Sequence, residues 1–183
     1  SETGFRKNCK LEISHRADEH GERRRGLLSL YIQKKRGMKM RSCFELSNGV
    51  QMPKIGFGTY KSTDGSDERV IGQALVAGYR LLDTAAAYKN EEQVGKAIAR
   101  SGISRKEIFL TSKVWKTDLG YENTKKSFQE SLERLQTDYL DLFLLHWPKP
   151  DPEFADWKEL DRESWRALEE LYKEGKVRAI GVS

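Results

Sequence analysis

Tyr79-Arg80-Leu81-Leu82-Asp83-Thr84-Ala85-Ala86-Ala87-Tyr88 is a short apolar strand that runs into a carboxylate and, five residues on, a tyrosine. Two later apolar runs also end on an ionisable residue: Phe109-Leu110-Thr111-Ser112-Lys113 and Leu142-Phe143-Leu144-Leu145-His146. Both have strand length rather than helix length. Apolar runs of this kind suit strands buried on both faces of a parallel sheet. The three are therefore read as parallel strands that deliver Asp83, Lys113 and His146 to one end, with Tyr88 on the first loop.

Upstream, Cys43-Phe44-Glu45-Leu46 and Gln51-Met52-Pro53-Lys54-Ile55 bracket Ser47-Asn48-Gly49. That is a hairpin signal, with Asn-Gly as the turn dipeptide. Gly56-Phe57-Gly58-Thr59-Tyr60 gives a first strand ending in a Gly-bearing turn, and a polar loop, Lys61 to Ser66, follows. A helix over Asp67–Ala77, with Asp67 as its N-cap, puts Val70, Ile71, Ala74 and Leu75 on one face. Gly78 stops it. Downstream, helices are expected over Glu91–Arg100, Asn123–Leu135 and Arg162–Glu174, the last capped by Gly175. Pro148, Pro150 and Pro152 forbid regular structure before the last of these. Val177–Ser183 is a fifth strand. Strict alternation of five β units with four helices predicts an α/β fold with a parallel sheet. Two architectures satisfy it: an open doubly wound sheet, or a (β/α)8 barrel interrupted part-way.

The 183 residues are 37% hydrophobic and 33% charged, with a mean hydropathy of −0.73, which suits a soluble body with a solvated surface. No apolar run approaches the ~20 residues of a membrane span. The net charge of +5 is carried by the start of the chain. Residues 1–40 hold eleven Lys/Arg against five Asp/Glu, so the remainder is slightly acidic. A near-neutral body gives no reason to expect a nucleic-acid partner. Residues 1–39 show no sustained periodicity and are read as a disordered or non-native basic leader, with residues 40–183 as the folded domain. Met38 and Met40 stand where the pattern changes and are candidate natural starts. Cys9 and Cys43 lack motif spacing, and no paired-His or Cys-x-x-Cys pattern predicts a metal.

Gly56-Phe57-Gly58, with Asp83 further on, imitates a dinucleotide-binding fingerprint. The imitation fails on spacing. Lys61 stands where the third glycine belongs, and the polar stretch Thr59–Ser66 separates the turn from its helix. The open fold needs that helix N-terminus at the turn itself, to meet the pyrophosphate.

In a parallel barrel, chemistry sits on the loops at the C-terminal strand ends. A tyrosine near its reference pKa of about 10 is a weak acid at neutral pH. A lysine cation beside it favours the phenolate, and an aspartate keeps the lysine charged and aimed. A histidine can donate a hydrogen bond to a carbonyl oxygen and orient it. Such a set suits protonating an alkoxide as it forms from a carbonyl. The hydride must come from a cofactor, because no side chain supplies one.

Here the sequence resembles the aldo-keto reductase family. The matching text is Gly56-Phe57-Gly58-Thr59-Tyr60, Leu82-Asp83-Thr84-Ala85 with Tyr88 and Asn90-Glu91, Thr111-Ser112-Lys113, Leu144-Leu145-His146-Trp147-Pro148 and Ile180-Gly181-Val182-Ser183. The resemblance implies a (β/α)8 TIM barrel and NADPH-dependent reduction of aldehydes and ketones. It implies Tyr88 as general acid, Lys113 and Asp83 as the groups that tune it, and His146 as the group orienting the carbonyl. It further implies cofactor contacts at Gly58, Thr59, Tyr60, Asp83 and Ser183, and a substrate pocket walled by Tyr60, Trp115 and Trp147. The chain supplies five of the family's eight strands, so the expectation is a barrel truncated after the fifth strand, preceded by a β-hairpin. On that expectation the isolated chain has little or no activity, and the full-length form is a cytoplasmic monomer acting on a small-molecule carbonyl, with no metal and no membrane. The alternative from another class is an accessory subunit that binds the cofactor without fast turnover.

Overall fold

The structure is a computed structural model that describes residues 42–63, 68–148 and 155–183. The basic leader, the Asp67 cap and the prolines at 150 and 152 lie outside the described residues. An antiparallel hairpin of β1 (Cys43–Glu45) and β2 (Gln51–Pro53) comes first. After it come β3 (Phe57–Gly58), α1 (Arg69–Ala77), β4 (Leu81–Asp83), α2 (Glu91–Arg100), β5 (Phe109–Val114), α3 (Tyr121–Leu135), β6 (Leu142–Leu145), α4 (Trp157–Lys173) and β7 (Ile180–Val182).

Strand order decides between the two architectures. The five-stranded sheet runs β3-β4-β5-β6-β7, parallel throughout and in chain order. A doubly wound sheet reverses its order at a switch point; this one does not. The helices touch in a single row, α1 on α2, α2 on α3 and α3 on α4. They therefore cover one face of the sheet. The fold is that of a (β/α)8 barrel, of which the chain forms five consecutive strands.

The register then sorts the side chains. Asp83 pairs with Thr111, Lys113 with Leu144, and Leu144 with Gly181. With a period of two, Leu82, Leu110, Ser112, Val114, Phe143 and Leu145 point to the helices, and Asp83, Thr111, Lys113 and Leu144 point to the other face. Leu82, Leu110, Val114 and Phe143 are completely buried in the core that Ile71, Leu75, Phe128, Leu132 and Leu168 supply from the helices. Phe128 meets Phe143 edge to face at 5.1 Å. Burying each of these aliphatic or aromatic side chains contributes roughly 1.5–3 kcal/mol, and that contribution holds β5 and β6 in the register that aims Lys113.

Several boundaries differ from the sequence reading for local reasons. The Asn48-Gly49 pair lies within a longer loop, because Leu46 accepts from the Gly49 N–H and donates to the Val50 carbonyl. Helix α3 starts at Tyr121 instead of Asn123, with the Gly120 N–H met by the Ser164 hydroxyl at 2.7 Å. Helix α4 starts at Trp157, ahead of the expected Arg162, since Leu160 packs on the core and Arg162 pairs back to Glu159. The last strand is shorter than expected, with Val177 making only an isolated bridge to Leu140. Gly78 does end α1, in the left-handed conformation at φ 106°, its N–H turned back to the Ala74 and Leu75 carbonyls.

The α2–α3 contact is close enough to require a glycine. A Cβ on Gly95 would stand 2.7 Å from the Leu135 carbonyl carbon and oxygen, which are backbone atoms unable to rotate away. Gly95→Ala is expected to destabilise the chain by about 1–3 kcal/mol, read as a lower urea midpoint. Gly72→Ala, in α1 with nothing within 4 Å, is the control and should stabilise slightly, by about 0.4–1 kcal/mol.

Candidate active site

The floor of the site is Lys113. It is 4% exposed, and its Nζ donates to Asp83 Oδ1 at 2.8 Å, Asp83 Oδ2 at 2.9 Å and the Thr84 carbonyl at 2.8 Å. An ammonium has three protons, so each has an acceptor. This matters because an unpaired buried cation is strongly destabilising. Both acceptor residues come from the C-terminal end of β4, the strand beside β5.

Tyr88 is carried by a single 3-10 turn, Ala86–Tyr88, which its N–H closes onto the Ala85 carbonyl at 3.0 Å. Lys89 follows in the left-handed region at φ 55° and turns the chain into α2. The Lys113 ammonium lies 5.1 Å from the centroid of the Tyr88 ring, within range of a favourable cation–π contact. The Tyr88 ring is 5.9 Å from His146 and 5.0 Å from Tyr60. Trp115 stands 5.0 Å from His146 and 5.4 Å from Trp147.

His146 lies just beyond β6, where its N–H extends the sheet to the Val114 carbonyl. Burial lowers its pKa below the ordinary 6.5, the Lys113 cation lowers it further, and Asp83 offsets part of this. The imidazole is therefore neutral at pH 7, with a proton on one nitrogen to donate. Trp147 has φ 63° and is held by its N–H to the Ser183 carbonyl at 3.0 Å. A cleft of about 870 Å³ opens over these groups, with Tyr60, Tyr88, Trp115, His146 and Trp147 among its walls.

The four ionisable residues and the three aromatic residues picked out in the sequence thus share one site. Gly58 and Thr59, at the end of β3, and Ser183, after β7 at the opposite edge of the sheet, sit outside the cleft wall. Gly58 pairs with Asp83, and Ser183 bonds through its backbone to Leu145 and Trp147. Thr59 is fully buried, its N–H and hydroxyl both directed to the Asp83 carbonyl. Tyr60, 62% exposed, reaches the rim. Among the described residues, no group of three His, Cys, Asp or Glu side chains could hold a metal ion, and no helix is long and apolar enough to cross a membrane.

Two further polar residues support this arrangement, and neither carries a role in the sequence reading. Asn90 is 2% exposed. Its Nδ2 donates to the Thr59 carbonyl at 2.6 Å, and its Oδ1 accepts from the Thr84 and Thr59 hydroxyls at 3.2 and 3.4 Å. Glu91, 1% exposed, accepts from Ser112 Oγ at 2.5 Å, Ser131 Oγ at 3.2 Å and Arg134 Nε at 2.8 Å. The sequence signals were their place in the family-like run after Tyr88, which assigned them no role, and two adjacent polar residues opening a helix, which ordinarily marks a solvated first turn. Asn90 makes no side-chain cap bond; its amide turns inward.

The aldo/keto reductase family model matches residues 54–183. The chain belongs to the aldo/keto reductase family. It is 51% identical over 145 residues to glyoxal reductase of Bacillus subtilis (strain 168), covering 79% of this chain and 50% of that protein. An aldo/keto reductase structure from Brucella melitensis superposes with a TM-score of 0.71 at 47% identity, covering 77% of this chain and 52% of that one. The Bombyx mori aldo-keto reductase solved in complex with NADP gives a TM-score of 0.66 at 33% identity, over 77% of this chain and 50% of that one. The chain spans about half the length of the curated relatives it matches.

The His146 environment of this aldo/keto reductase chain sets a pH dependence. Its folded-state pKa lies below the unfolded 6.5, so the unfolded state binds the proton more readily. The stability from keeping the ring neutral is complete above pH 6.5 and is lost as pH falls from there through the lowered value. In an NMR titration the His146 midpoint is expected below 6.5, and Lys113→Met is expected to raise it. An unshifted midpoint in both proteins would contradict the buried, cation-flanked setting.

Proposed function

We propose that in the full-length form this site reduces aldehydes and ketones to alcohols with NADPH, Tyr88 serving as the general acid. The observation that carries the reading is the Lys113 ammonium, buried and fully bonded, facing the Tyr88 ring at 5.1 Å beside a neutral His146. The order of events follows from those groups. A carbonyl entering between Tyr60, Trp115 and Trp147 turns its oxygen toward His146, whose ring N–H fixes it. As negative charge grows on that oxygen, the Tyr88 hydroxyl gives up its proton. The Lys113 cation stabilises the phenolate left behind, and Asp83 keeps that cation charged and aimed. The donors act in a cleft whose floor is desolvated, where each interaction is stronger than in water.

The residues present fit the nicotinamide end of the cofactor, which supplies the hydride. Thr59 and Asp83, at the neighbouring ends of β3 and β4 with Gly58 bearing no side chain beside them, adjoin an open aromatic rim at Tyr60, and Ser183 lies at the opposite edge of the sheet against Trp147. These residues would hold it. The Bombyx mori relative, solved with NADP, supports this choice of cofactor. The likeness to glyoxal reductase supports a carbonyl substrate.

In the full-length form, Tyr88→Phe is expected to lower kcat by about 10²–10⁴-fold while NADPH binding, followed by quenching of tryptophan fluorescence, is retained. Turnover unchanged by this substitution would remove Tyr88 from the acid role. Loss of NADPH binding alongside turnover would point instead to a part in holding the cofactor.

A further inference from the structure

We infer that Asn90 is a positioning residue for the reacting centre: through Thr84 it fixes the third acceptor of the Lys113 ammonium, and through Thr59 it ties the Tyr88 loop to the strand end behind Tyr60. The inference builds on the site assignment above and concerns how the lysine is held.

Asp83 takes two of the three ammonium protons, one on each oxygen. Its side chain is 38% exposed, so water competes for it. The third proton goes to the Thr84 carbonyl, on a residue that is completely buried. A backbone carbonyl cannot rotate to follow the lysine, so its usefulness depends on where Thr84 is held. Two bonds hold it. The Thr84 N–H donates to the Thr111 carbonyl at 3.0 Å, which fixes it to β5. The Thr84 hydroxyl donates to Asn90 Oδ1 at 3.2 Å, which fixes it to the start of α2.

Asn90 then closes the circuit. Its Nδ2 donates to the Thr59 carbonyl at 2.6 Å, and Thr59 lies one residue before Tyr60. Tyr88 hangs on the loop between Thr84 and Asn90, so both ends of the loop are pinned to one buried amide. Thr59, Thr84 and Asn90 are all at most 2% exposed, so water cannot replace a bond that is lost. The amide therefore sets the distance between the Tyr88 ring and the cation, although it touches neither.

The test reads the ammonium directly and needs no turnover. The full chain labelled with 15N-lysine is examined by 1H–15N correlation, with Lys113→Met to assign the Lys113 signal. In the unsubstituted chain that signal is expected to exchange with water more slowly than those of surface lysines, because all three protons are bonded. Thr84→Val keeps the shape and removes the hydroxyl; it should speed Lys113 exchange about 2–10-fold, the range that one net hydrogen bond of ~0.5–1.5 kcal/mol permits. Asn90→Ala should do the same or more, and Thr84→Ser, which restores the hydroxyl, should return exchange toward the original rate. A general loss of stability would instead lower the melting temperature and speed exchange of core backbone amides together with Lys113, whereas the expected loss is confined to Lys113 and its neighbours. If Asn90→Ala fails to fold, the Thr84→Val and Thr84→Ser pair decides. The inference is overturned if Thr84→Val exchanges like the unsubstituted chain, if Thr84→Ser behaves like Thr84→Val, or if Lys113 is as labile as a surface lysine from the outset. Slow exchange together with normal turnover of Tyr88→Phe would keep the positioning role and reject the acid assignment.

Discussion

A lysine ammonium taken out of water constrains the rest of this structure. Desolvating such an ion costs several kcal/mol, offset only if its acceptors are close and well placed. Here they come from two consecutive residues at the end of β4, while the lysine comes from β5. The pairing of those two strands must therefore be correct before the cation can be tolerated at all. The apolar layer beneath, from Leu82 and Leu110 to Phe128 and Phe143, supplies the rigidity that the pairing needs. Core and site are one problem in this chain, because the same register that buries the leucines aims the charge.

The aromatic groups above the cation form a different kind of environment. Tyr60, Tyr88, His146, Trp115 and Trp147 succeed one another in tilted and edge-on contacts. They present flat, weakly polar walls, among which Tyr88 and His146 are the two polar groups that flank the buried cation. Trp147 adopts a left-handed backbone, which for a non-glycine residue is unfavourable by about 1–2 kcal/mol. Its N–H bond to the Ser183 carbonyl helps to keep it there. Strain retained at a cleft wall suggests that the position of the indole matters more than the comfort of the chain.

Much of this was legible in the sequence. An apolar run ending on Asp, Lys or His is visible by inspection, and the parallel sheet follows from strict alternation. Alternation alone left two architectures open, because strand order is a spatial fact; β3 to β7 lying in chain order settled it. Helix starts were less visible. The first turns of α3 and α4 are rich in polar residues and read as loop until Ser164 and Leu160 are seen to engage them. The burial of Asn90 and Glu91, both part of the family-like text, was invisible for a deeper reason. Polar residues are exposed by default, and burial of a polar side chain depends on partners far along the chain, such as Thr59 for Asn90 and Arg134 for Glu91.

Ser112 and Lys113 are neighbours whose side chains leave β5 on opposite faces, one to the Glu91 carboxylate and the other to the Asp83 carboxylate. A slip of one position along the strand would exchange them. The ammonium would then face the helices, where Glu91 is already paired with Arg134, and Asp83 would be left with a hydroxyl in place of its cation. One unsatisfied carboxylate, with a surplus positive charge on the far side of the ribbon, thus makes an offset strand costly on electrostatic grounds even where its greasy residues could still be accommodated.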